Sequence, residues 1–146
     1  MPSIVETISG LIAEAIKRDD QIVATYLFGS SASGTHKQSS DVDLAFLVDE
    51  RVYASDPVVA ISPAYSVATK IAMSLDKETD VTILNGASIE MAYEVISSGR
   101  CLYEIDQDQR LAYESKIRGL YFDFMPFIEK LRSERIRRSA IRAERK

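Results

Sequence analysis

YLFGSSASGTHKQSSDVDLAFLV, residues 26–48, governs the reading of the whole chain. Two apolar runs flank a loop of small polar residues. The first, Ile22-Val23-Ala24-Thr25-Tyr26-Leu27-Phe28, is dense in β-formers and stopped by Gly29, so it predicts a buried strand. The second, Val42-Asp43-Leu44-Ala45-Phe46-Leu47-Val48, predicts another, closed by Asp49-Glu50. The loop ends in two aspartates, Asp41 and Asp43. Side chains at i and i+2 of a strand point to one face, with Cα atoms roughly 6.6 Å apart. The two carboxyl groups therefore converge. Left unpaired they repel, and each tends to hold a proton. A divalent cation between them converts that repulsion into binding.

The residues upstream suit the same purpose. Gly29 lacks a Cβ, so the chain can turn sharply and come close to a ligand. Ser30 offers a hydroxyl and a backbone N–H. If Ser31 to Ser33 open a helical turn, their amides point at an anion. Downstream, Asp80-Val81-Thr82-Ile83-Leu84 predicts a third strand, ended by Asn85-Gly86. Should that strand lie beside the second, Asp80 brings a third carboxylate. Three carboxylates at the ends of adjacent strands can hold two magnesium ions, which activate an attacking oxygen and stabilise a leaving one. Each element alone also fits a solvated turn. Their conjunction across three predicted strands points to metal-assisted phosphoryl or nucleotidyl transfer.

The remaining sequence supplies a scaffold. Ser3 and Glu6 form a capping-box pair ahead of a first helix ending near Asp19-Asp20, with Ile4, Ile8, Leu11, Ile12, Ala15 and Ile16 at helical spacing. Residues 51–62 read as a connection punctuated by Pro57 and Pro63. Ala64, Val67, Ala68, Ile71, Ala72 and Leu75 mark a second helix, and residues 88–98 a third with Gly99 as its C-cap. Cys101-Leu102-Tyr103 reads as a short edge strand. From about Asp106 the pattern is helical to the end, with a kink or break expected near Met125 because Pro126 follows. The fold class is α+β: a small mixed β-sheet flanked by helices, with C-terminal helices. We expect one domain over residues 1–146, with a core of about 1–105 and a helical extension over about 106–146.

Composition narrows the function classes. A chain of 146 residues with 46% hydrophobic and 27% charged content matches an ordinary globular domain that buries a proper core. No apolar run approaches the roughly 20 residues of a membrane span, and MPSIVETISG lacks the pattern of a signal peptide. The single cysteine, Cys101, excludes an internal disulfide and fits a reducing cytoplasm. With one histidine there is also no structural zinc site, so any metal here is a hard ion held by oxygens. Charge is uneven. Residues 130–146 carry 8 basic and 2 acidic side chains, whereas residues 1–129 carry 10 and 20. An acidic body thus bears a basic tail.

Gly29-Ser30, ten residues, then Asp41-Val42-Asp43 matches the GSx10DxD signature of the nucleotidyltransferase superfamily that includes DNA polymerase β. With YLFGSSASG, SSDVDLAFLV, TDVTIL and GLYFDFMPFIEKL, the chain resembles the minimal nucleotidyltransferase (MNT) antitoxins of HEPN/MNT toxin–antitoxin pairs. The resemblance implies ATP as substrate, two Mg2+ ions, and transfer of AMP to a tyrosine of a partner HEPN ribonuclease, in a hetero-oligomer with that toxin. It implies that Asp41, Asp43 and Asp80 are catalytic and ligate the metal, with Asp80 helping to deprotonate the acceptor. Gly29 and Ser30 hold the β- and γ-phosphates, and Ser40 orients the loop. Many relatives carry an arginine where this loop has Ser33, which shifts phosphate binding toward Lys37, His36 or backbone amides. The rival readings are an antitoxin that blocks its toxin by binding alone, and a nucleotidyltransferase with a small-molecule or RNA acceptor.

Other candidates take plainer roles. His36 reads as a solvent-exposed loop residue, Cys101 as a buried thiol, Arg100 as a solvated strand end, and Tyr103, Tyr113 and Tyr121 as packing residues. The basic tail reads first as a solvated helix with Glu–Arg pairs and second as a toxin contact. It lacks the interleaved aromatics of a nucleic-acid platform.

Overall fold

The computed structural model describes residues 3–17, 20–29 and 41–144. The order is α1 (Ile4–Ala15), β1 (Ile22–Phe28), β2 (Val42–Val48), α2 (Glu50–Ser55), α3 (Pro57–Leu75), β3 (Thr79–Ile83), a 3-10 turn (Leu84–Gly86), α4 (Ile89–Ser98), β4 (Arg100–Glu104) and α5 (Gln107–Glu144). The strands form one mixed sheet in the order β3-β2-β1-β4. β1 pairs antiparallel with β2 and β4, while β2 and β3 run parallel. The class is α+β, as the sequence pattern predicts.

The two central strands are buried almost throughout because helices cover both faces of the sheet. Ile22, Leu27, Val42, Leu44, Phe46 and Val48 pack on α1 and α3 through Ile8, Ile12, Ala64, Val67 and Ile71. Val23, Tyr26, Ala45 and Leu47 pack the other way, on Ala92, Val95 and Ile96 of α4 and Ile117 of α5. Alternation along β2 therefore places Asp43 on the α4/α5 face with Ala45 and Leu47.

Local signals explain the helix starts. Ser3 caps α1 by accepting from the Glu6 N–H at 3.1 Å. Asp49 and Asp56 cap α2 and α3 through the N–H groups of Val52 and Val59. Ser88 caps α4 through Met91.

Four expectations need correction. α1 ends at Ala15, earlier than expected, because Ile16 already has extended backbone. The expected connection over residues 51–62 is helical: Pro57 sits at the first turn of α3, where its missing N–H costs nothing, and Pro63 lies within the helix. Read as one element, α3 is long and apolar enough to cross a membrane by length and composition. Its buried face of Ala60, Ala64, Val67, Ala68 and Ile71 instead packs it as a core helix. α5 runs through Pro126 as one continuous helix, which overturns the break, though not the kink, expected near Met125. Cys101 is exposed on the edge strand, where its thiol donates to the Tyr103 carbonyl at 3.3 Å.

Candidate active site

The site forms where β1 ends and β2 and β3 begin. Phe28 pairs with Asp43, and Asp43 pairs in turn with Asp80 across the parallel β2–β3 ladder. Residues in register share a face, so both carboxylates stand on the α4/α5 side of the sheet. The Val42 N–H donates to the Glu78 carbonyl at 3.0 Å, which fixes this register at the strand start. Asp43 is half-buried, while Asp41 and Asp80 are exposed.

Burial is the largest influence on Asp43 and pushes its carboxyl above the usual range. The Asp80 charge and a hydrogen bond with Asp80 add to this, and the Asp41 charge adds least. No lysine or arginine among the described residues offsets these influences. The structure thus brings Asp43 and Asp80 together, with Asp41 at longer range. Among the described residues no set of three acidic, histidine or cysteine side chains is closed into a ready metal cage. The donors that do meet are hard carboxylate oxygens that repel one another, which suits a hard divalent cation.

Gly29 turns the chain directly over this pair. Its φ is +72°, in the left-handed region. A Cβ built there would run into the Asp43 carboxylate, with Cγ only 3.2 Å away. Any side chain at this position would both strain the backbone and displace the central aspartate. Gly99, the C-cap of α4, makes a second close approach. A Cβ there would stand 3.0 Å from the Leu27 carbonyl and 3.3 Å from Phe28 Cβ. The end of α4 therefore seats against the end of β1, one residue short of the Gly29 turn. Ser30, Lys37 and Ser40, with Ser31 to Ser33 and His36, lie outside the described residues.

A second acidic group on the same face is built differently. Glu114 of α5 is buried, and Arg110 donates hydrogen bonds to both Glu114 and Glu104. Arg118 adds a contact to Glu114 at 3.8 Å. The Tyr26 hydroxyl is buried beside this group with no close hydrogen-bond partner among the described residues; burial first, then the Glu114 charge, raises its pKa, and Arg110 opposes them. In the sequence the only sign of this cluster is the i, i+4 spacing of Arg110 and Glu114. The stacking of Tyr121 on Tyr93, with ring centroids 3.7 Å apart, was likewise legible only as packing. Arg100 is exposed at its strand end, as expected.

Comparison with known proteins agrees with this geometry. Residues 11–108 match the family model described as polymerase beta, nucleotidyltransferase. The chain belongs to that nucleotidyltransferase family. Over 86 residues it is 35% identical to the protein adenylyltransferase MntA of Shewanella oneidensis, a stretch that covers 59% of this chain and 57% of that protein. The match thus spans little more than half the length of that relative. Two solved assemblies share the fold. A toxin–antitoxin structure with AMP-PNP superposes with a TM-score of 0.59 at 24% identity, covering 88% of this chain and 98% of that one. A chain from the complex of tri-AMPylated Shewanella oneidensis HEPN toxin with MNT antitoxin gives 0.56 at 21%, with the same coverage.

Proposed function

We propose that this protein is an antitoxin that acts as a protein adenylyltransferase, moving AMP from ATP to a tyrosine of a HEPN-family ribonuclease and so silencing it. The carrying observation is the Gly29 turn pressed against Asp43, with Asp80 in register beside it. Membership of the nucleotidyltransferase family, the adenylyltransferase among its relatives and the AMP-PNP-bound assembly of like fold all support the reading.

In this reading Gly29 and Ser30 hold the β- and γ-phosphates, Lys37 contributes to phosphate binding and Ser40 orients the loop. Asp41, Asp43 and Asp80 hold Mg2+, two ions in the full site. When bound, the metal supplies charge neutralisation at the α-phosphate and the pyrophosphate leaving group. The protein positions the tyrosine oxygen in line with the α-phosphorus. A new P–O bond forms to that oxygen while the bond to pyrophosphate breaks. The phenolic proton passes to a carboxylate, the role this reading gives Asp80, the more exposed of the central pair. Residues 1–105 carry this chemistry and residues 106–146 extend it. The cytoplasm, which supplies ATP and keeps Cys101 reduced, is the matching compartment.

The test is mass spectrometry, intact and after peptide mapping, of a partner HEPN-family ribonuclease after incubation with the protein, ATP and magnesium. The expected result is mass increments of AMP on a tyrosine, absent in EDTA. An unmodified ribonuclease that is nonetheless fully silenced would replace this reading with inhibition by binding alone.

A further inference from the structure

α5 carries a single seam along its length. Residues three and four apart share a helix face, and Tyr113, Ile117 and Leu120 begin a row at that spacing. Phe124, Phe127 and Leu131 continue it, and Arg135, Arg138 and Arg142 complete it. The seam changes chemistry along the way. Its start packs against the sheet, where Ile117 and Tyr113 join the α4-side core. Its middle is bare: Phe124, Phe127 and Leu131 are 45%, 59% and 50% exposed. Its end is three exposed arginines that form no ion pair among the described residues. Arg132, off the seam, reaches back to Glu90 of α4 at 2.6 Å and is the last tie to the body. From Ser133 to Glu144 almost every residue is exposed. A helical segment of that length, with nothing packed on it, is marginal in water. A contiguous apolar row continued by unpaired cations marks a contact surface rather than a solvated face.

Charge decides what fits it. Two copies of this chain packed parallel would set arginine against arginine. Packed antiparallel about Phe127 and Leu131, they would set the arginines against residues 116–123, where the seam residues Ile117 and Leu120 supply no carboxylate. A nucleic-acid backbone would satisfy the arginines and leave the apolar row wet. An apolar ridge continued by carboxylates satisfies both halves at once.

We infer that this seam is the docking surface for the protein partner that receives AMP, and that the partner meets it with an apolar ridge followed by acidic side chains. The inference rests on the adenylyltransferase reading for the partner's identity. The seam is joined to the active site through α4: Tyr121 stacks on Tyr93, and α4 ends at Gly99 against the β1 terminus. A partner held there is anchored to the element that flanks the carboxylates.

The test measures binding of the neighbouring HEPN-family ribonuclease without ATP, by calorimetry, for the wild type, Phe127→Asp/Leu131→Asp and Arg135→Glu/Arg138→Glu/Arg142→Glu. Both variants are expected to weaken binding at least tenfold, and the charge reversal to flatten its salt dependence. Magnesium–ATP binding to the protein alone is expected to stay as in the wild type, which shows that the variants are folded. The same variants in the transfer assay should raise the KM for the ribonuclease and leave that for ATP unchanged. Wild-type affinity in both variants would overturn the docking surface while leaving the transferase reading intact. Loss of self-association or of RNA binding in the variants, with ribonuclease binding unchanged, would assign the seam to that other partner and overturn the inference. No complex with the wild type would overturn the partner reading itself, and the docking surface with it.

Discussion

Two acidic groups lie on one face of the same sheet, and they are built on opposite principles. At Glu104 and Glu114 the carboxylates are joined by Arg110, which donates to both, with Arg118 near Glu114. Charge is matched, and the cluster ties α5 to the edge strand β4. At Asp43 and Asp80 the carboxylates meet in register, and burial together with, among the described residues, the charges of Asp80 and Asp41 pushes Asp43 toward its protonated form. The Arg110 cluster carries its own cation, whereas among the described residues no lysine or arginine acts on Asp43. Stability is served by the first arrangement and binding by the second.

Breaking the uncompensated pair is expected to have the largest effect. Asp43→Asn should lower AMP transfer by about 10³-fold or more, since on the proposed reading it removes the central carboxylate that would hold the metal, while circular dichroism remains native. Breaking the compensated cluster should do the reverse. Arg110→Met leaves Glu114 buried without its partner and should cost about 3–5 kcal/mol of stability by urea denaturation. Its transfer rate per folded molecule should stay within about twofold of wild type. Gly29→Ala probes the frame rather than the charges. A methyl group there meets the Asp43 carboxylate and opposes the +72° φ. It should cost about 1–3 kcal/mol of stability and weaken ATP binding measured by fluorescence titration.

The smallest expected effect is on pH. The folded-state pKa of Asp43 lies above its ordinary value, so the folded metal-free protein holds that proton more tightly than the unfolded chain. The stability this contributes is present below the ordinary carboxylate pKa and is lost as pH rises through the raised one. Partial exposure screens it to less than about 1 kcal/mol, roughly 2–4 °C in Tm. Asp43→Asn should therefore match or exceed wild-type Tm in EDTA at neutral pH, and magnesium should close the gap by stabilising the wild type alone. A lower Tm for the variant at neutral pH would show that Asp43 is compensated after all.

The sequence made some of this legible and hid the rest for physical reasons. β1 and β2 were readable to the residue, because unbroken β-branched and aromatic runs end at a glycine and an acidic pair. The meeting of Asp43 with Asp80 was readable as a possibility; it needed the parallel β2–β3 pairing, which no local signal specifies. Pro57 and Pro63 misled because proline breaks a helix interior and is welcome in its first turn, and the choice depends on where the helix begins. Cys101 misled because an apolar neighbourhood in sequence became an exposed edge in space. The Arg110 cluster stayed hidden because Glu104 joins it from another element. The seam of α5 was visible as periodicity, but whether anything in the chain covered its middle was a question only the fold could answer.

The most direct measurement compares the two acidic groups in one assay. α-Labelled ATP, magnesium and the HEPN-family ribonuclease are mixed with wild type, Asp43→Asn or Arg110→Met, each at equal folded concentration, and label on the ribonuclease is followed by denaturing gel. The account predicts rapid labelling by wild type and Arg110→Met and none by Asp43→Asn. Labelling by Asp43→Asn at the wild-type rate would contradict it, because the uncompensated pair would then not be the centre of the chemistry.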